Sequence, residues 1–362
     1  MMETLEPIRI LIVDDSRIFR GMLQSILEQI SDVRVIGSVF SGEKALEFID
    51  NAAPDLVTLD VEMPGISGLD TLREIAKRNR HRAGLPPIDA ILVSALTKKG
   101  SRETVEGLQL GALDFICKPN ESDLEENVAS LRKSIEEKIA VVRQRRRRIA
   151  VGSALSMPTT RTAANLHATP SVGRFRAIAI GTSTGGPEAL GRILPDLAAN
   201  CPVPIFIVQH ILEGLSHYLA ESLSRKCSRQ VLESADGMMV QQNGIYLAKA
   251  GNHMLVRRRE GAIELGATNS PPERGCRPSV DVFLTSAACI YGPSLLSIIL
   301  TGMGDDGASG VRAVKRAGGA VIVQDEASCV VAGMPKAAIA TGAVDEVLPL
   351  LQVPAWLAPW FR

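Results

Sequence analysis

The chain of 362 residues has no excess of charge of either sign: Lys and Arg total 40, and Asp and Glu total 40. No overall field draws it to nucleic acid or to an anionic membrane, so any polyanion binding has to be local. Uninterrupted apolar runs of about 18 residues are also missing, and no membrane span is expected. The N-terminus carries Glu3 and Glu6 ahead of a short apolar run ending at Asp14, without the basic start and small-residue cleavage site of a signal peptide. The six cysteines, at 117, 201, 227, 276, 289 and 329, form no C-x-x-C pair. That argues against zinc and against a disulfide framework, and for a reducing cytoplasm. Internal repeats and extended low-complexity tracts are absent.

What is present is a repeated alternation of apolar strands and amphipathic stretches. Ile8 to Val13, Val33 to Ser38, Leu56 to Leu59, Ala90 to Val93 and Asp114 to Cys117 read as strands separated by helical segments. Parallel neighbours need such crossovers, so the first domain is expected to be a doubly wound α/β sheet. A final helix is predicted from Glu121 to about Arg148, ending in the basic run Arg143 to Arg148, which reads as a solvated helix end or, alternatively, a docking surface. Residues 150–173 are rich in Ser, Thr, Ala and Pro without periodicity, as in a tether. The alternation resumes with strands at Ala177, Ile205, Gly244 to Leu247, Leu296 and Ala320 to Val323. The expected division is therefore a domain over 8–140, a flexible linker over 141–173 and a second α/β domain over 174–352. Each domain is large enough to bury its own core.

In the first domain Asp14 and Asp15 follow the first strand, Asp60 ends the third, Ser94 the fourth, and Lys118-Pro119 the fifth. Parallel strands bring these ends to one rim. Crowded carboxylates repel one another, and a hard divalent cation such as Mg²⁺ relieves that. Asp60, on the central strand, is the carboxylate best placed to be a nucleophile and form an acyl phosphate.

In the second domain Ser183 follows the strand Ala177 to Ile180 within Gly181-Thr-Ser-Thr-Gly-Gly-Pro187. A hydroxyl at a strand's carboxyl end, where a helix opens, meets free backbone N–H groups, which is where an acyl-transfer nucleophile belongs. Of His210, His217 and His253, only His210 ends an apolar run, and it is the choice for the general base. Asp306 follows a third strand through Thr301-Gly-Met-Gly304 and is the candidate acid, with Asp305 as its adjacent rival. The G-x-S-x-G spacing also fits an α/β-hydrolase, but that chain order would require residues such as Asp236 and His253, neither at a convincing strand end.

These motifs carry two family resemblances. Residues 8–140 resemble a response-regulator receiver domain through Val13-Asp-Asp-Ser16, Asp60 with Met63-Pro-Gly65 and Gly68, Ser94-Ala95, and Lys118-Pro119. The resemblance implies a flavodoxin-like fold, phosphorylation at Asp60, and Mg²⁺ held by Asp14, Asp15, Asp60 and the Glu62 carbonyl. It also implies a switch built from Ser94, Phe115 and Lys118. Ser67 stands where the family often has Asp.

The second domain resembles the catalytic domain of bacterial chemotaxis protein-glutamate methylesterases of the CheB type. The match rests on Gly181-Thr-Ser-Thr-Gly-Gly186, Gln209-His210, Arg277-Pro-Ser-Val-Asp281, Leu300-Thr-Gly-Met-Gly-Asp-Asp-Gly307 and Ala327-Ser-Cys-Val-Val-Ala-Gly-Met-Pro335. It implies a parallel-sheet, Rossmann-like α/β fold with Ser183 as nucleophile, His210 as base, Asp306 rather than Asp305 as acid, and the Met303 N–H in the oxyanion hole. The activity implied is phosphorylation-regulated demethylation of glutamate methyl esters and deamidation of glutamines on methylated chemoreceptors. A chemotaxis histidine kinase would be the phosphodonor, no cofactor would serve the hydrolysis, and the protein would act as a cytoplasmic monomer. An esterase acting on another protein, or a silent signalling adaptor, are the alternatives. Ile211 to Ser216 and Lys249 to His253 depart from the family pattern and bear on substrate preference.

Overall fold

Leu56–Asp60 and Asp89–Ser94 bury every residue along their length. A strand without inward and outward alternation must be covered on both faces, and that is the arrangement in this computed structural model. The structure describes residues 6–82, 85–95, 97–118, 124–154 and 173–361. Pro119 and most of the expected linker, 155–172, lie outside them. The chain divides into two compact units, Met1–Pro158 and Thr159–Arg362.

The first unit has strands β1 (Ile8–Val13), β2 (Val33–Val39), β3 (Leu56–Asp60), β4 (Asp89–Ser94) and β5 (Asp114–Cys117). They form one all-parallel sheet in the order β2-β1-β3-β4-β5. The crossovers are α1 (Arg17–Leu27), α2 (Gly42–Ala52), α3 (Gly68–Arg80) and α4 (Lys98–Gln109). Ser16, Ser41, Ser67 and Thr97 cap them, each side-chain oxygen accepting a first-turn N–H. Ser67, the departure from the receiver pattern, is thus the N-cap of α3.

The last helix, α5 (Leu124–Ala154), continues past residue 140 into the stretch expected to be linker. Its basic run is not simply solvated. Arg145 pairs with Asp89, Arg146 lies 3.6 Å from Asp55, and Arg143 donates to the Ser31 carbonyl. The run is therefore anchored to the strand-start edge of its own sheet. Among the described residues no helix is long and apolar enough to cross a membrane.

The second unit has strands β6 (Ala177–Thr182), β7 (Ile205–Gln209), β8 (Val231–Glu233), β9 (Ile245–Leu247), β10 (His253–Arg259), β11 (Ala262–Thr268), β12 (Leu295–Ile299), β13 (Ala320–Gln324) and β14 (Glu346–Leu348). Its helices are α6 (Gly186–Asn200), α7 (Ser216–Lys226), α8 (Val280–Tyr291), α9 (Ala308–Arg316), α10 (Gly333–Ala340) and α11 (Val353–Phe361). Seven strands form a parallel sheet in the order β14-β13-β12-β6-β7-β9-β8, and β10 and β11 form an antiparallel hairpin. The first strand, β6, sits mid-sheet between β7 and β12. The chain order reverses there, and in an open parallel sheet a crevice forms at the carboxyl ends beside such a point. Phe206 stacks on Tyr246 at 5.6 Å and tilts against Phe283 at 5.3 Å under this sheet. Helix α11 lies beyond the expected domain end at 352, and its Trp360 packs 5.2 Å from Phe175.

Candidate active site

Three adjacent strand ends build the crevice. Ser183 follows β6, His210 follows β7, and Thr301 to Asp306 follow β12. Backbone bonds prolong the sheet into this region: Ser183 N–H donates to Thr301 O at 3.0 Å, and His210 N–H to Thr182 O at 3.0 Å. Gln209, buried at the end of β7, donates through Nε2 to Ser183 O and to His210 O, each at 2.9 Å. One amide thus clamps the carbonyls of both residues. The turn into α6 needs Gly185 in the left-handed region at φ 79°. It also needs Gly186, where a Cβ would fall 2.0 Å from Gln209 Oε1. Gly186→Ala is expected to displace the clamp, costing about 1–3 kcal/mol of stability and most of the activity. Urea midpoints and turnover measured on the same preparation check this.

The imidazole of His210 is 13% exposed, and its Nε2 lies 2.8 Å from Asp306 Oδ2. Asp306 is fully engaged. Oδ2 also accepts from Val280 N–H at 2.7 Å, while Oδ1 accepts from Ser279 Oγ, Asp281 N–H and Gly307 N–H at 2.9, 2.9 and 3.0 Å. Two of these donors are first-turn amides of α8, which lack intrahelical partners and favour a negative charge. Burial alone would raise the Asp306 pKa, but His210 and these amides outweigh it and hold the carboxyl below its ordinary value. Burial would likewise depress His210, yet Asp306 and Cys276 lift it to about 9. The pair therefore stabilises an imidazolium, as a base that must carry a proton in transit requires.

Asp305 turns away: its side chain is 57% exposed and pairs with Arg274. His217 lies on α7, 3.1 Å from Glu221. His253 is buried, with Nδ1 accepting from Ser279 N–H at 3.1 Å and Nε2 facing Pro271 O at 3.1 Å. It steadies the segment that holds Asp306. Asp236 is exposed and binds Ala267 N–H, so the α/β-hydrolase arrangement does not assemble.

Ser183 is half-buried, and its hydroxyl has no hydrogen-bond partner among the described residues. The same holds for the N–H of Met303, a residue 43% exposed. A Cβ on Gly302 would lie 2.8 Å from Ser183 Cβ, so the glycine lets the Met303 turn approach the serine. A hydroxyl, an imidazole nitrogen and an unused amide on one rim are the parts of a nucleophilic acyl-transfer site, and in such sites the nucleophile–base bond often tightens only with substrate.

Reading the sequence alone missed Gln209 as a clamp, Ser279 as an Asp306 donor, and Cys276, whose Sγ lies 3.6 Å from His210 Nδ1. The only available signal was a polar residue closing an otherwise apolar strand, and that applied to Gln209 alone. The two segments that depart from the family pattern meet: Ala250 N–H donates to Ser216 Oγ at 3.0 Å, and Gly251 packs against the Glu213 carboxylate.

The first unit holds a second constellation. Asp14 and Asp60 are buried, Asp15 is exposed, and carboxylate oxygens of all three lie within 4.8 Å of one another. Lys118 Nζ lies 2.8 Å from both Asp14 Oδ2 and Asp60 Oδ2. Burial, helped by the charge of Asp14, pushes Asp60 up to about 6 against the pull of Lys118. Burial opposes the Lys118 charge, but the two carboxylates raise its pKa overall. Asp14 Oδ2 is buried and, although close to the ammonium, lacks an aligned hydrogen bond. Crowded hard oxygens with one left unsatisfied fit Mg²⁺. Ser94 is buried beside them with Oγ donating to Ala95 O, Phe115 is buried on β5, and Glu62 is exposed, its N–H on Asp60 Oδ1 at 3.2 Å.

Fold and sites together define a response regulator whose second domain is a hydrolase. Residues 10–129 match the response regulator receiver domain, and residues 178–357 match CheB methylesterase. The chain is 41% identical to the protein-glutamate methylesterase/protein-glutamine glutaminase 2 of Koribacter versatilis, over 96% of this chain and 94% of that one. It is 37% identical to the protein-glutamate methylesterase/protein-glutamine glutaminase of Desulfotalea psychrophila, over 96% and 97%. Among solved structures it is similar to the CheB methylesterase catalytic domain of Thermotoga maritima, with a TM-score of 0.50 and 39% identity, covering 51% of this chain and 97% of that one. The chain belongs to the CheB methylesterase family.

Proposed function

We propose that the protein hydrolyses glutamate methyl esters on the cytoplasmic helices of chemoreceptors and deamidates glutamines there, under control of phosphorylation at Asp60. The observation that carries the chemistry is Asp306 fixed on His210 Nε2, at the strand end next to the one that carries Ser183. With Nε2 committed, Nδ1 is the nitrogen left to take the hydroxyl proton as Ser183 Oγ attacks the ester carbonyl. The developing oxyanion is met by backbone N–H groups including that of Met303, such donors being worth about 3 kcal/mol each. Collapse breaks the bond to methoxide, which leaves as methanol with the proton from His210. Water, deprotonated by His210, then cleaves the acyl-serine, returning the proton to Ser183 and leaving glutamate. A glutamine side chain offers the same carbonyl and releases ammonia.

In the receiver, Asp14, Asp15, Asp60 and the Glu62 carbonyl would hold Mg²⁺, which when bound offsets the charge of an incoming phosphoryl group. Asp60 takes the phosphoryl group from a histidine kinase, Lys118 and Ser94 bind its oxygens, and Phe115 moves with Ser94. Asp60→Asn is expected to abolish acyl-phosphate formation and the accompanying stimulation while leaving unstimulated turnover in place. Labelled phosphodonor incorporation and turnover with and without donor check this.

The deciding experiment incubates the purified chain with methylated receptor cytoplasmic fragments and measures methanol. Release that depends on Ser183 supports the reading. Ester hydrolysis on other proteins but not on receptor helices would reject the substrate, and no hydrolysis at all would reject the enzyme.

A further inference from the structure

Cys276 takes no part in the chemistry above, yet it is held against the base. It closes a tight turn in which Cys276 N–H donates to Glu273 O at 2.8 Å and Glu273 N–H to Cys276 O at 3.1 Å. The two central residues, Arg274 and Gly275, are left-handed at φ 51° and 77°, the geometry of a rigid two-residue hairpin turn. The residue is half-buried, and its sulfur lies 3.6 Å from His210 Nδ1 and 3.8 Å from Arg274 O.

That separation has a meaning for metals. Tetrahedral zinc holds sulfur at about 2.3 Å and imidazole nitrogen at about 2.0–2.1 Å, so two such ligands stand roughly 3.5–3.6 Å apart. The other ring nitrogen, Nε2, is fixed on a carboxylate, the outer-shell arrangement that orients a metal-binding histidine and raises its basicity. Asp306 lies close enough to the pair to suggest a third ligand. However, its oxygens already accept from five groups, namely His210, Val280, Ser279, Asp281 and Gly307. It orients the imidazole and leaves the ligation to nitrogen and sulfur. The positive charge next along the turn is also neutralised, since Arg274 pairs with Asp305 and with Asp281 at 3.2 Å.

We propose that His210 Nδ1 and Cys276 Sγ form a binding site for a thiophilic divalent cation such as Zn²⁺, completed by water, and that its occupancy reversibly blocks the hydrolase. Binding releases to solvent the thiol proton and, from an imidazolium, the Nδ1 proton as well, and engages the imidazole lone pair; nothing is oxidised or reduced. The lone pair taken is the one needed for the Ser183 proton, so the inhibitory effect rests on the proposed hydrolase reading, whereas the binding does not. Soft and borderline ions select this pair, while Mg²⁺ prefers the carboxylates of the receiver. The scattered cysteine spacing argued against a structural zinc site, and a site of one cysteine and one histidine on separate segments leaves no such signature.

The test uses the full chain and two probes. Co²⁺ titrated into the wild-type protein is expected to produce a near-ultraviolet thiolate-to-cobalt band that Cys276→Ser and Cys276→Ala both lose. Zn²⁺ is expected to suppress wild-type methanol release, with recovery on adding a chelator. Each variant, normalised to its own metal-free rate, should need on the order of 10-fold more Zn²⁺ or greater. A cobalt band that survives both substitutions, or equal zinc sensitivity across the three proteins, overturns the proposal. Absence of methanol release from metal-free wild-type protein would instead count against the hydrolase reading, and the cobalt spectra would still decide the site.

Discussion

Ser183→Ala lowers methanol release by on the order of 10⁴-fold or more and leaves the fold's stability within about 0.5 kcal/mol of the parent. The two halves of this expectation have separate structural origins. The residue is positioned by its main chain, through its N–H on Thr301 O and its carbonyl on Gly186 N–H and Gln209 Nε2. The hydroxyl itself carries no hydrogen bond among the described residues, so its removal breaks nothing that holds the sheet. All of the loss therefore falls on chemistry. Residual turnover would reflect substrate held against the backbone donors. Turnover by the alanine variant within tenfold of the parent, with an unchanged thermal transition, would remove Ser183 from the mechanism.

Asp306→Asn behaves differently, damaging stability and rate together. The carboxylate accepts at both oxygens and donates to nothing, and each of its neighbours except His210 is an N–H or O–H already directed at it. An amide in its place must turn an N–H towards at least one of those donors. Breaking such a buried, charge-assisted network costs about 3–5 kcal/mol, and mis-setting the imidazole tautomer lowers kcat by about 10⁴-fold. Asp305→Asn is the control, because that side chain is 57% exposed and pairs with Arg274. It should lose less than about 1 kcal/mol and little activity. Urea denaturation and turnover of the two variants measured together separate the neighbours, and equal effects would contradict the assignment.

That pair also shows where reading the sequence stops. The central parallel strands and the rim positions of Ser183, His210 and Asp60 were legible because buried parallel strands are continuous apolar runs, and a polar residue ending one marks its carboxyl end; the short edge strands β8 and β14 and the hairpin β10–β11, which lack such runs, were not read. Asp305 and Asp306 were not separable by spacing, since neighbours on a turn can each face inward. What separates them is the N-terminus of α8, which approaches one and not the other. Cys276 was invisible as a partner of His210 because it lies 66 positions further along the chain, and no periodicity encodes a contact made by a tight turn. The end of α5, expected near Arg148, lies at Ala154, and the role of its basic run was hidden for a related reason. Its arginines, expected as a solvated helix end or a docking surface, find Asp89 and Asp55 at the foot of the sheet, a tertiary anchor that no local pattern encodes.

The Gln209 amide, holding both the Ser183 and His210 carbonyls, divides the labour of the crevice. Spacing between attacking atom and proton acceptor is dictated by the sheet's own pitch. By contrast, exposed Leu212 belongs to the loop after His210, outside that grip. Exchanging residues 211–216 thus leaves the reactive pair in its setting, which makes that loop the natural place to retarget the scaffold towards new protein esters.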